Sequence, residues 1–337
     1  MGTCNRLQIA VIGAGVAGCT VAFELSRRGF GVTLLDQSTP GHEGASGVPV
    51  ALLNPYRGRS GRASSEDLAS LATLWKLCSN LKQKGFNPGA TKSGILRIAH
   101  NPRQAKNWQR LPAVYWLNPE EIPHPYNAPY GGFIVNDGGW IRPEKFLMAL
   151  VNGATEYGIR TLFNHKVETI SGRVGAFFIR TGQVSLRVDR VVLCTGAGKV
   201  PKLDTPQLQL IAGEIVGLSP TPELPLPIAG AVYGATLNEK TFIGGNHRQV
   251  GKYDPSVTES LRTSFGWFVP GLQEANVMSI WTGVRAKRPN NVPLLTELQP
   301  GLWFLGALAG RGFLASARLA NELARYLHSA PSWQNGD

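Results

Sequence analysis

Apolar and polar residues in the first 36 positions follow the order typical of a strand, a helix and a second strand. Residues 7–12 form a short apolar run stopped by a glycine, which is typical of a buried parallel strand. Residues 16–28 predict a helix that ends at Gly29, and residues 32–35 predict another buried strand. The chain therefore begins with a predicted β-α-β unit.

The same patterns predict helices and strands along the rest of the chain. Apolar residues at helical spacing predict a helix over residues 66–84, with Ser64 or Ser65 as its cap and Gly85 as its stop. Two more helices are predicted over residues 143–157 and 314–327, a hairpin over 174–188, and strands over 191–194, 241–244, 277–281 and 302–305. Residues 40–55 predict an ordered loop. Together these elements predict the α/β class.

Composition narrows the class of protein. Hydrophobic residues make up 43% of the chain and charged residues 17%, which excludes a disordered protein. No run of 18 apolar residues occurs, so we expect neither a transmembrane helix nor a membrane partner. Cys4, Cys19, Cys78 and Cys194 are widely spaced, which argues against a disulfide framework or a zinc site and favours a cytoplasmic location. No metal site is predicted.

A glycine motif joins the first predicted strand to the first helix. Gly13, Gly15 and Gly18 fit G-x-G-x-x-G, in which the glycines permit a tight turn, approach of a pyrophosphate and close helix–strand packing. The start of the helix offers free N–H groups and the positive end of its dipole to phosphates. Asp36 lies 23 residues after Gly13, where an acid binds ribose hydroxyls and disfavours the 2′-phosphate of NADP. The motif predicts binding of a dinucleotide, either NAD or FAD.

Four later segments resemble the D-amino-acid oxidase (DAO) family of FAD-dependent oxidoreductases, in the family's order. Residues 41–55 resemble the loop under the flavin, residues 191–197 the second flavin strand, residues 281–285 the segment with the substrate arginine, and residues 306–314 the loop that faces the flavin ring. The resemblance implies a Rossmann-like FAD-binding domain of glutathione-reductase type. It also implies an interleaved α+β substrate domain with a mixed or antiparallel sheet.

The resemblance further implies a domain division and a set of site residues. The FAD-binding domain would comprise residues 1–56, 136–212 and 282–337, and the substrate-binding domain residues 57–135 and 213–281. Arg285 would bind a substrate carboxylate, Tyr233 would contact the substrate, and Arg311 would contact flavin or substrate. Asn246 and His247 are further pocket candidates. FAD would be held, without a covalent link, by Gly13, Gly15, Val16, Ala17, Gly18, Asp36, Gln37, Ala45, Ser46, Leu52, Val167, Thr195, Gly196, Gly306, Gly310, Arg311, Gly312, Phe313 and Leu314.

Within this family, short stretches are similar to the FAD oxidase half of the bifunctional proteins that modify the wobble uridine of tRNA. These stretches are residues 45–47, 138–140, 212–214, 219–224 and 310–312. The similarity implies oxidation of 5-carboxymethylaminomethyluridine to 5-aminomethyluridine, with release of glyoxylate. Because the chain begins at the FAD unit, we expect no methyltransferase domain in it and a separate methyltransferase as a partner. Free amino-acid oxidases often have proline after the substrate arginine, whereas Ala286 follows Arg285 here.

The basic charge is concentrated in one segment. The formal net charge is +12, and residues 57–110 carry +9 of it, with eleven basic and two acidic residues. Arg57, Arg59 and Arg62 lie between glycines and predict a flexible loop that contacts phosphates. A pocket for free glycine needs only one or two cations, whereas tRNA gains affinity from a broad basic face through phosphate contacts and counterion release. The charge pattern therefore favours tRNA as the partner.

Three hypotheses of function stay open at this point. The leading one is FAD-dependent oxidation of a carboxymethylamino group on tRNA. The second is oxidation of a free small amino acid such as glycine, sarcosine or a D-amino acid, and the third is a noncatalytic protein that binds flavin and RNA. The first glycine motif alone also fits an NAD-dependent dehydrogenase, which the later segments oppose. No lysine can be assigned to oxygen activation, so the electron acceptor stays open.

Overall fold

The computed structural model describes residues 6–112, 114–245 and 255–329. In chain order the helices are α1 (Val16–Ser26), α2 (Ser65–Gln83), α3 (Pro102–Trp108), α4 (Pro143–Thr155), α5 (Pro255–Gly266) and α6 (Gly312–Ser329). The strands are β1 (Gln8–Ile12), β2 (Gly31–Leu35), β3 (Ala51–Leu53), β4 (Ala90–Thr91), β5 (Ile95–Ile98), β6 (Tyr115–Leu117), β7 (Gly132–Val135), β8 (Gly139–Ile141), β9 (Arg160–Leu162), β10 (Val167–Arg173), β11 (Ala176–Thr181), β12 (Ser185–Val188), β13 (Arg190–Leu193), β14 (Gln209–Ser219), β15 (Ile228–Ala229), β16 (Tyr233–Leu237), β17 (Lys240–Gly244), β18 (Asn276–Lys287), β19 (Leu294–Gln299) and β20 (Leu302–Gly306).

A six-stranded sheet carries the predicted β-α-β unit. Its strand order is β19-β20-β13-β1-β2-β9, and every neighbouring pair is parallel except β19 with β20. Helix α1 packs against α4 and α6, and α6 also packs against α2. These helices and the sheet share a core of buried apolar side chains. The predicted α/β class and the Rossmann-like unit are confirmed, and β19 is an additional antiparallel edge strand.

A mixed eight-stranded sheet forms the second large layer. Its order is β18-β14-β17-β16-β15-β5-β7-β6, and β15 with β5 is its parallel pair. Strands β14 and β18 pair antiparallel over most of their length. Helix α5, which the sequence patterns did not predict, packs against β14 and β17 and joins the apolar core of this layer.

Two smaller sheets complete the fold. Strands β10, β11 and β12 form an antiparallel sheet, of which the last two are the predicted hairpin over residues 174–188. Strands β3, β8 and β4 form another. Strand β3 lies inside residues 40–55, which were predicted to form only a loop.

The predicted division into domains remains a prediction, and the sheets favour moving two of its boundaries. All strands of the six-stranded sheet fall within residues 1–56, 136–212 and 282–337. Strands β14 and β18, however, run across the boundaries predicted at residues 212 and 281. Because the two strands are hydrogen-bonded to each other, both belong to the eight-stranded sheet over their full length.

Helix α2 begins and ends as predicted, but the face it buries is rotated. Ser64 caps the helix by accepting a hydrogen bond from the Asp67 N–H at 3.0 Å, and Gly85 follows the helix with φ +86°. Leu68, one of the apolar residues whose helical spacing predicted this helix, is 44% exposed, whereas the side chain of Asp67 is buried. Of the helices in the described ranges, none is long and apolar enough to cross a membrane.

Candidate active site

The phosphate loop leaves no room for side chains at two of its glycines. Gly13 has φ +106°, and its N–H donates to the Leu35 carbonyl oxygen at 2.7 Å. A Cβ atom on Gly13 would lie 2.5 Å from the Cys194 carbonyl oxygen, and one on Gly18 would lie 1.7 Å from the Gly13 carbonyl oxygen. The loop is therefore shaped by backbone contacts that only glycine permits.

The N-terminus of α1 faces the open side of this loop. The Val16 N–H donates to Oγ of Ser46 at 2.9 Å, which brings the turn Ala45–Gly47 across the helix end. The Cys19 N–H donates to the Gly15 carbonyl oxygen, so the N–H groups of Ala17 and Gly18 lie in the first turn, ahead of the regular hydrogen bonds of α1. Free N–H groups at the positive end of a helix dipole are the donors that a pyrophosphate accepts from.

Asp36 lies beside the phosphate loop as predicted. Its Oδ2 accepts from the Ala14 N–H at 2.5 Å and its Oδ1 from the Ser38 N–H at 2.8 Å. The Asp36 carbonyl oxygen accepts from the His165 N–H at 2.8 Å, which brings the segment leading to Val167 alongside. The Val167 side chain is in the core, so only its backbone is available to a ligand. Gln37 is exposed, and its amide donates to the Glu43 carboxylate.

Two helix N-termini meet at the site. A Cβ atom on Gly312, the first residue of α6, would lie 3.2 Å from Cγ1 of Val16. Deeper between the helices, the hydroxyls of Thr20 and Ser316 are 3.4 Å apart. The side chains of Phe313 and Leu314 are buried in the core, so these two predicted cofactor residues can offer only backbone N–H groups.

The other predicted cofactor residues border the same region. Gly13 lies against the Cys194 carbonyl, so Thr195 and Gly196 follow directly beside the phosphate loop. Gly306 ends β20, the strand next to β13. Leu52 is half-buried on β3, and α6 packs against β3. The three cysteines of the described residues are buried, and burial raises the pKa of the Cys19, Cys78 and Cys194 thiols.

Arg57 and Arg285 converge above Gly310, in the turn that precedes α6. A Cβ atom on Gly310 would lie 3.7 Å from Nη1 of Arg285 and 3.9 Å from Nη2 of Arg57. Strand β18, which carries Arg285, packs against both this turn and the turn Ala45–Gly47. The substrate arginine implied by the resemblance thus lies between two predicted cofactor loops.

Arg311 and Asp67 complete an arginine cluster, which we define as Arg57, Asp67, Arg285 and Arg311. Nη1 of Arg311 lies 3.2 Å from Oδ1 of Asp67, and Nη2 donates to the Asn291 carbonyl oxygen at 2.5 Å. Both terminal nitrogens of Arg311 are therefore engaged by the protein, which favours a positioning role. Burial lowers the pKa of Arg57, repulsion by Arg311 and Arg285 lowers it further, and attraction to Asp67 acts in the opposite direction.

Several glycines of the eight-stranded sheet lie beside Arg285 and Tyr233. Gly213 and Gly283 are register partners on β14 and β18, and a Cβ atom on Gly213 would lie 2.7 Å from Nη2 of Arg285. The ring of Tyr233 covers Gly244, with the hydroxyl oxygen 2.7 Å from where a Cβ atom would be. Burial raises the pKa of Tyr233, whereas the charge of Arg285 lowers it. Asn246 and His247 lie outside the described residues.

The comparisons with known proteins agree with this geometry. The sequence profile of the DAO family, described as FAD dependent oxidoreductase, matches residues 8–326. The chain belongs to the DAO family. It is therefore an FAD-dependent oxidoreductase of the class that acts on C–N bonds of amines and amino acids. The first-turn N–H groups of α1, the glycine cradle and Asp36 fit the dinucleotide that DAO enzymes bind.

Among curated relatives, the chain is 28% identical over 323 residues to the tRNA 5-methylaminomethyl-2-thiouridine biosynthesis bifunctional protein MnmC of Maricaulis maris. That match covers 95% of this chain and 52% of the relative, so the chain spans about half the length of the bifunctional proteins it matches. It is also 27% identical to a Rhizobium etli protein named as the thiamine biosynthesis oxidoreductase ThiO, covering 95% of this chain and 96% of that protein.

Solved structures show the same fold. The structure of glycine oxidase from Geobacillus kaustophilus superposes with a TM-score of 0.83 at 19% identity and covers 97% of this chain and 96% of its own. At this level of identity the likeness concerns the fold.

Two basic residues are placed differently from the sequence prediction. Arg57 was predicted to contact phosphates from a flexible loop, but its side chain is half-buried in the arginine cluster. Arg97 was counted in the basic excess, but it is 3% exposed and donates to the carbonyl oxygens of Tyr56, Gly58 and Ala229. These bonds hold the backbone on both sides of Arg57, whereas the sequence predicted a flexible loop.

The sequence analysis also missed Asp67 as a site residue. The available signal was an acid on the apolar face of a predicted helix, one and two turns before Leu71 and Leu74. Arg97 gave a comparable signal, because it is the one charge within the apolar run Ile95–Ile98. A charge on a buried face requires a partner from another part of the chain.

Proposed function

We propose that this enzyme oxidises the C–N bond of a carboxymethylamino group on tRNA, converting 5-carboxymethylaminomethyluridine to 5-aminomethyluridine at the wobble position. Bound FAD would supply the hydride acceptor for oxidation at the carbon next to the amine nitrogen. Hydrolysis of the substrate imine would then release glyoxylate and leave the aminomethyl group. The printed names of the bifunctional relatives, which cover 95% of this chain at 28% identity in one case, support this substrate.

The described residues have separate tasks in this reaction. Arg285 binds the carboxylate of the carboxymethyl group through charge-assisted hydrogen bonds. Tyr233 stays a neutral phenol at pH 7, because burial raises its pKa, and it can donate a hydrogen bond to the substrate. The N-termini of α1 and α6 present N–H groups to the cofactor's anionic parts.

One surface carries the proposal of tRNA as substrate. We call Arg59, Arg62, Arg103, Lys106 and Arg110 the basic face; all five side chains are exposed. The loop with Arg59 is docked on α3, because the Arg59 carbonyl oxygen accepts from Nε2 of Gln104 at 3.1 Å and from Nε1 of Trp108 at 3.0 Å.

The basic face borders the arginine cluster through this loop. The Arg57 N–H donates to the Arg62 carbonyl oxygen at 3.1 Å, so a single closed loop carries Arg57 towards the cluster and Arg59 and Arg62 on the exposed side. Tyr115, which follows α3, is 61% exposed and offers a ring on which a base can stack. A polyanion that carries a carboxylate would engage both surfaces at once.

Two other cations of the basic segment, Lys84 and Lys92, are paired with acids. Lys84 pairs with Glu156 at 3.0 Å, and Lys92 pairs with Asp137 at 2.6 Å. Both pairs lie on the α2 side of the chain and neutralise part of the excess. Lys76 and Lys82 are exposed on α2. Because the basic face adjoins the loop that carries Arg57, we expect it to contribute most of the RNA binding.

A free small amino acid is the second candidate substrate. The observation in its favour is the similarity to the protein named as the thiamine biosynthesis oxidoreductase ThiO, which is 27% identical over 95% of this chain. Arg285 and Tyr233 would serve a free glycine-like substrate equally well.

Anaerobic reduction of the flavin tests the proposal. The purified holoenzyme is mixed with tRNA that carries 5-carboxymethylaminomethyluridine, with the same tRNA lacking the modification, and with glycine, sarcosine and D-alanine. We expect loss of visible absorbance with the modified tRNA alone. Bleaching by a free amino acid and not by the modified tRNA would replace the proposal with the second candidate, and bleaching by none would contradict both.

A further inference from the structure

Arg57 and Arg285 reach the same open space from different parts of the chain. We propose that Arg57 is a second cation for the substrate carboxylate, so that the guanidinium groups of Arg57 and Arg285 clamp one carboxylate above Gly310. The proposal rests on the proposed function, because it concerns the carboxylate of the same substrate. It adds a specificity-determining residue to that site.

The space above Gly310 is bordered by the donors that a small anion requires. A Cβ atom there would have two neighbours within 4 Å among the described residues, Nη1 of Arg285 and Nη2 of Arg57. Both are cationic donors, and they come from β18 and from the loop after β3. Glycine at this position leaves the space open, whereas any side chain would occupy it.

Arg57 has a donor without an acceptor. Its Nη1 is buried and has no hydrogen-bond partner among the described residues. A buried guanidinium donor without a partner is costly, and a carboxylate oxygen is its best acceptor. Arg57 therefore presents an unused donor in the cluster that holds Arg285.

The charges that surround Arg57 also favour an anion beside it. Asp67 is the acid whose charge acts on Arg57, and its carboxylate is already paired with Arg311 at 3.2 Å. Arg57 and Arg311 thus act on the same carboxylate, and Arg285 adds a further positive charge beside Arg57. A second carboxylate, supplied by the substrate, would relieve the repulsion between Arg57 and Arg285.

The backbone around Arg57 is held in place before any ligand binds. Arg97 donates from Nη1 to the Tyr56 carbonyl oxygen at 2.5 Å and from Nη2 to the Gly58 carbonyl oxygen at 2.9 Å. The Arg97 guanidinium also lies 4.7 Å from the Trp108 ring centroid. Arg97 is therefore a positioning residue. Its hydrogen bonds fix the backbone on both sides of Arg57 and so preorganise the clamp.

Acetate binding to the holoenzyme tests the clamp without any turnover. Acetate and its neutral isostere acetamide are titrated at constant ionic strength, and the change in the visible flavin spectrum gives the dissociation constant. The variants are Arg57→Gln, Arg57→Lys and, as a matched control, Arg187→Gln, which removes an exposed arginine of β12. The melting temperature and FAD content of each variant are measured in parallel.

We expect Arg57→Gln to weaken acetate about 10- to 100-fold, the range for a hydrogen bond to a charged group. Arg57→Lys should lose less affinity, because it keeps the charge and loses the planar fork. Arg187→Gln should bind acetate as the wild type does. If Arg57→Gln loses FAD, a several-fold weaker binding of acetate to the Arg57→Lys holoenzyme supports the clamp instead.

Two results would overturn the clamp: acetate affinity unchanged in every folded Arg57 variant, or a wild type that does not prefer acetate over acetamide. Neither result depends on tRNA. If acetate binding contradicts the clamp, the reduction experiment with tRNA still tests the proposed substrate. If modified tRNA does not bleach the flavin, the acetate experiment still tests the clamp.

Discussion

The phosphate loop and the arginine cluster are both polar regions, but they are built in opposite ways. The loop from Gly13 to Asp36 comes from one β-α-β unit and shapes its site with backbone N–H groups. The arginine cluster draws its charges from four separate segments: the loop after β3, the first turn of α2, strand β18 and the turn before α6. A larger side chain should therefore abolish ligand binding at the phosphate loop, whereas a change of charge should do so at the arginine cluster.

The difference follows from what each region offers its ligand. A helix terminus supplies dipoles whose positions are set by the fold, so the site fails when atoms are displaced. Guanidinium groups are full charges in a partly buried place, so the cluster depends on the balance of cations and anions. The following substitutions test this comparison.

Gly18→Ala should have the largest effect. Its Cβ atom would overlap the Gly13 carbonyl oxygen at 1.7 Å, so the phosphate loop must shift. We expect a protein that purifies without bound FAD and loses about 3 kcal/mol of unfolding free energy. Flavin absorbance and urea unfolding measure these quantities. Gly182→Ala is the control, because its Cβ atom would meet only Oε1 of Glu168 at 3.5 Å; equal behaviour of the two variants would contradict the account of the loop.

Asp67→Asn should act through charge alone. It removes the carboxylate paired with Arg311, and the two side chains are 11% and 16% exposed. Loss of one partner of a largely buried pair costs about 3 kcal/mol, and we expect this loss in the unfolding free energy of the holoenzyme. The matched control is Asp137→Asn, because the Asp137 side chain is 74% exposed in its pair with Lys92 and the change should cost below about 1 kcal/mol. A similar loss of unfolding free energy in both variants would contradict the assignment of Asp67 to the arginine cluster.

The same contrast explains which features could be predicted from the sequence. The phosphate loop was predictable because Gly13, Gly18 and Asp36 act within 23 residues of one another. The sequence patterns predicted the same exposed position for Arg57 as for Arg59 and Arg62. Those two are exposed, and no feature of the local sequence distinguishes Arg57 from them.

The sequence patterns did not predict features that depend on partners far away along the chain. Arg97 finds its acceptors on Tyr56, Gly58 and Ala229, of which the last is 132 positions away. Asp67 finds Arg311 at a separation of 244 positions. Only the resemblance to the DAO family, rather than spacing, indicated that Arg285 and Arg311 belong to one site.

Arg311→Ala should keep the fold and slow flavin reduction. Without Arg311, Asp67 can pair with Arg57 and draw it away from Gly310, so the carboxylate loses a partner. At subsaturating substrate we expect an approximately tenfold slower reduction, the equivalent of about 1.4 kcal/mol. Anaerobic stopped-flow absorbance measures the rate over a range of substrate concentrations. Arg325→Ala, an exposed arginine of α6, should react as the wild type does; an unchanged rate in Arg311→Ala would exclude the positioning role.

The smallest effects are expected on the basic face, where each cation is exposed and acts independently. Arg103→Gln would remove one of the proposed phosphate contacts, so tRNA affinity should fall about equally for modified and unmodified tRNA. The slope of log affinity against log salt should become shallower by about one unit, as for the loss of one released counterion. Gel-shift titrations over a salt series measure both quantities. Arg187→Gln on β12 should leave the slope unchanged. In the proposed division of roles the basic face binds tRNA and the arginine cluster recognises the carboxylate, so Arg103→Gln should not alter acetate affinity. A loss of acetate binding in that variant would mean that the two surfaces are a single site.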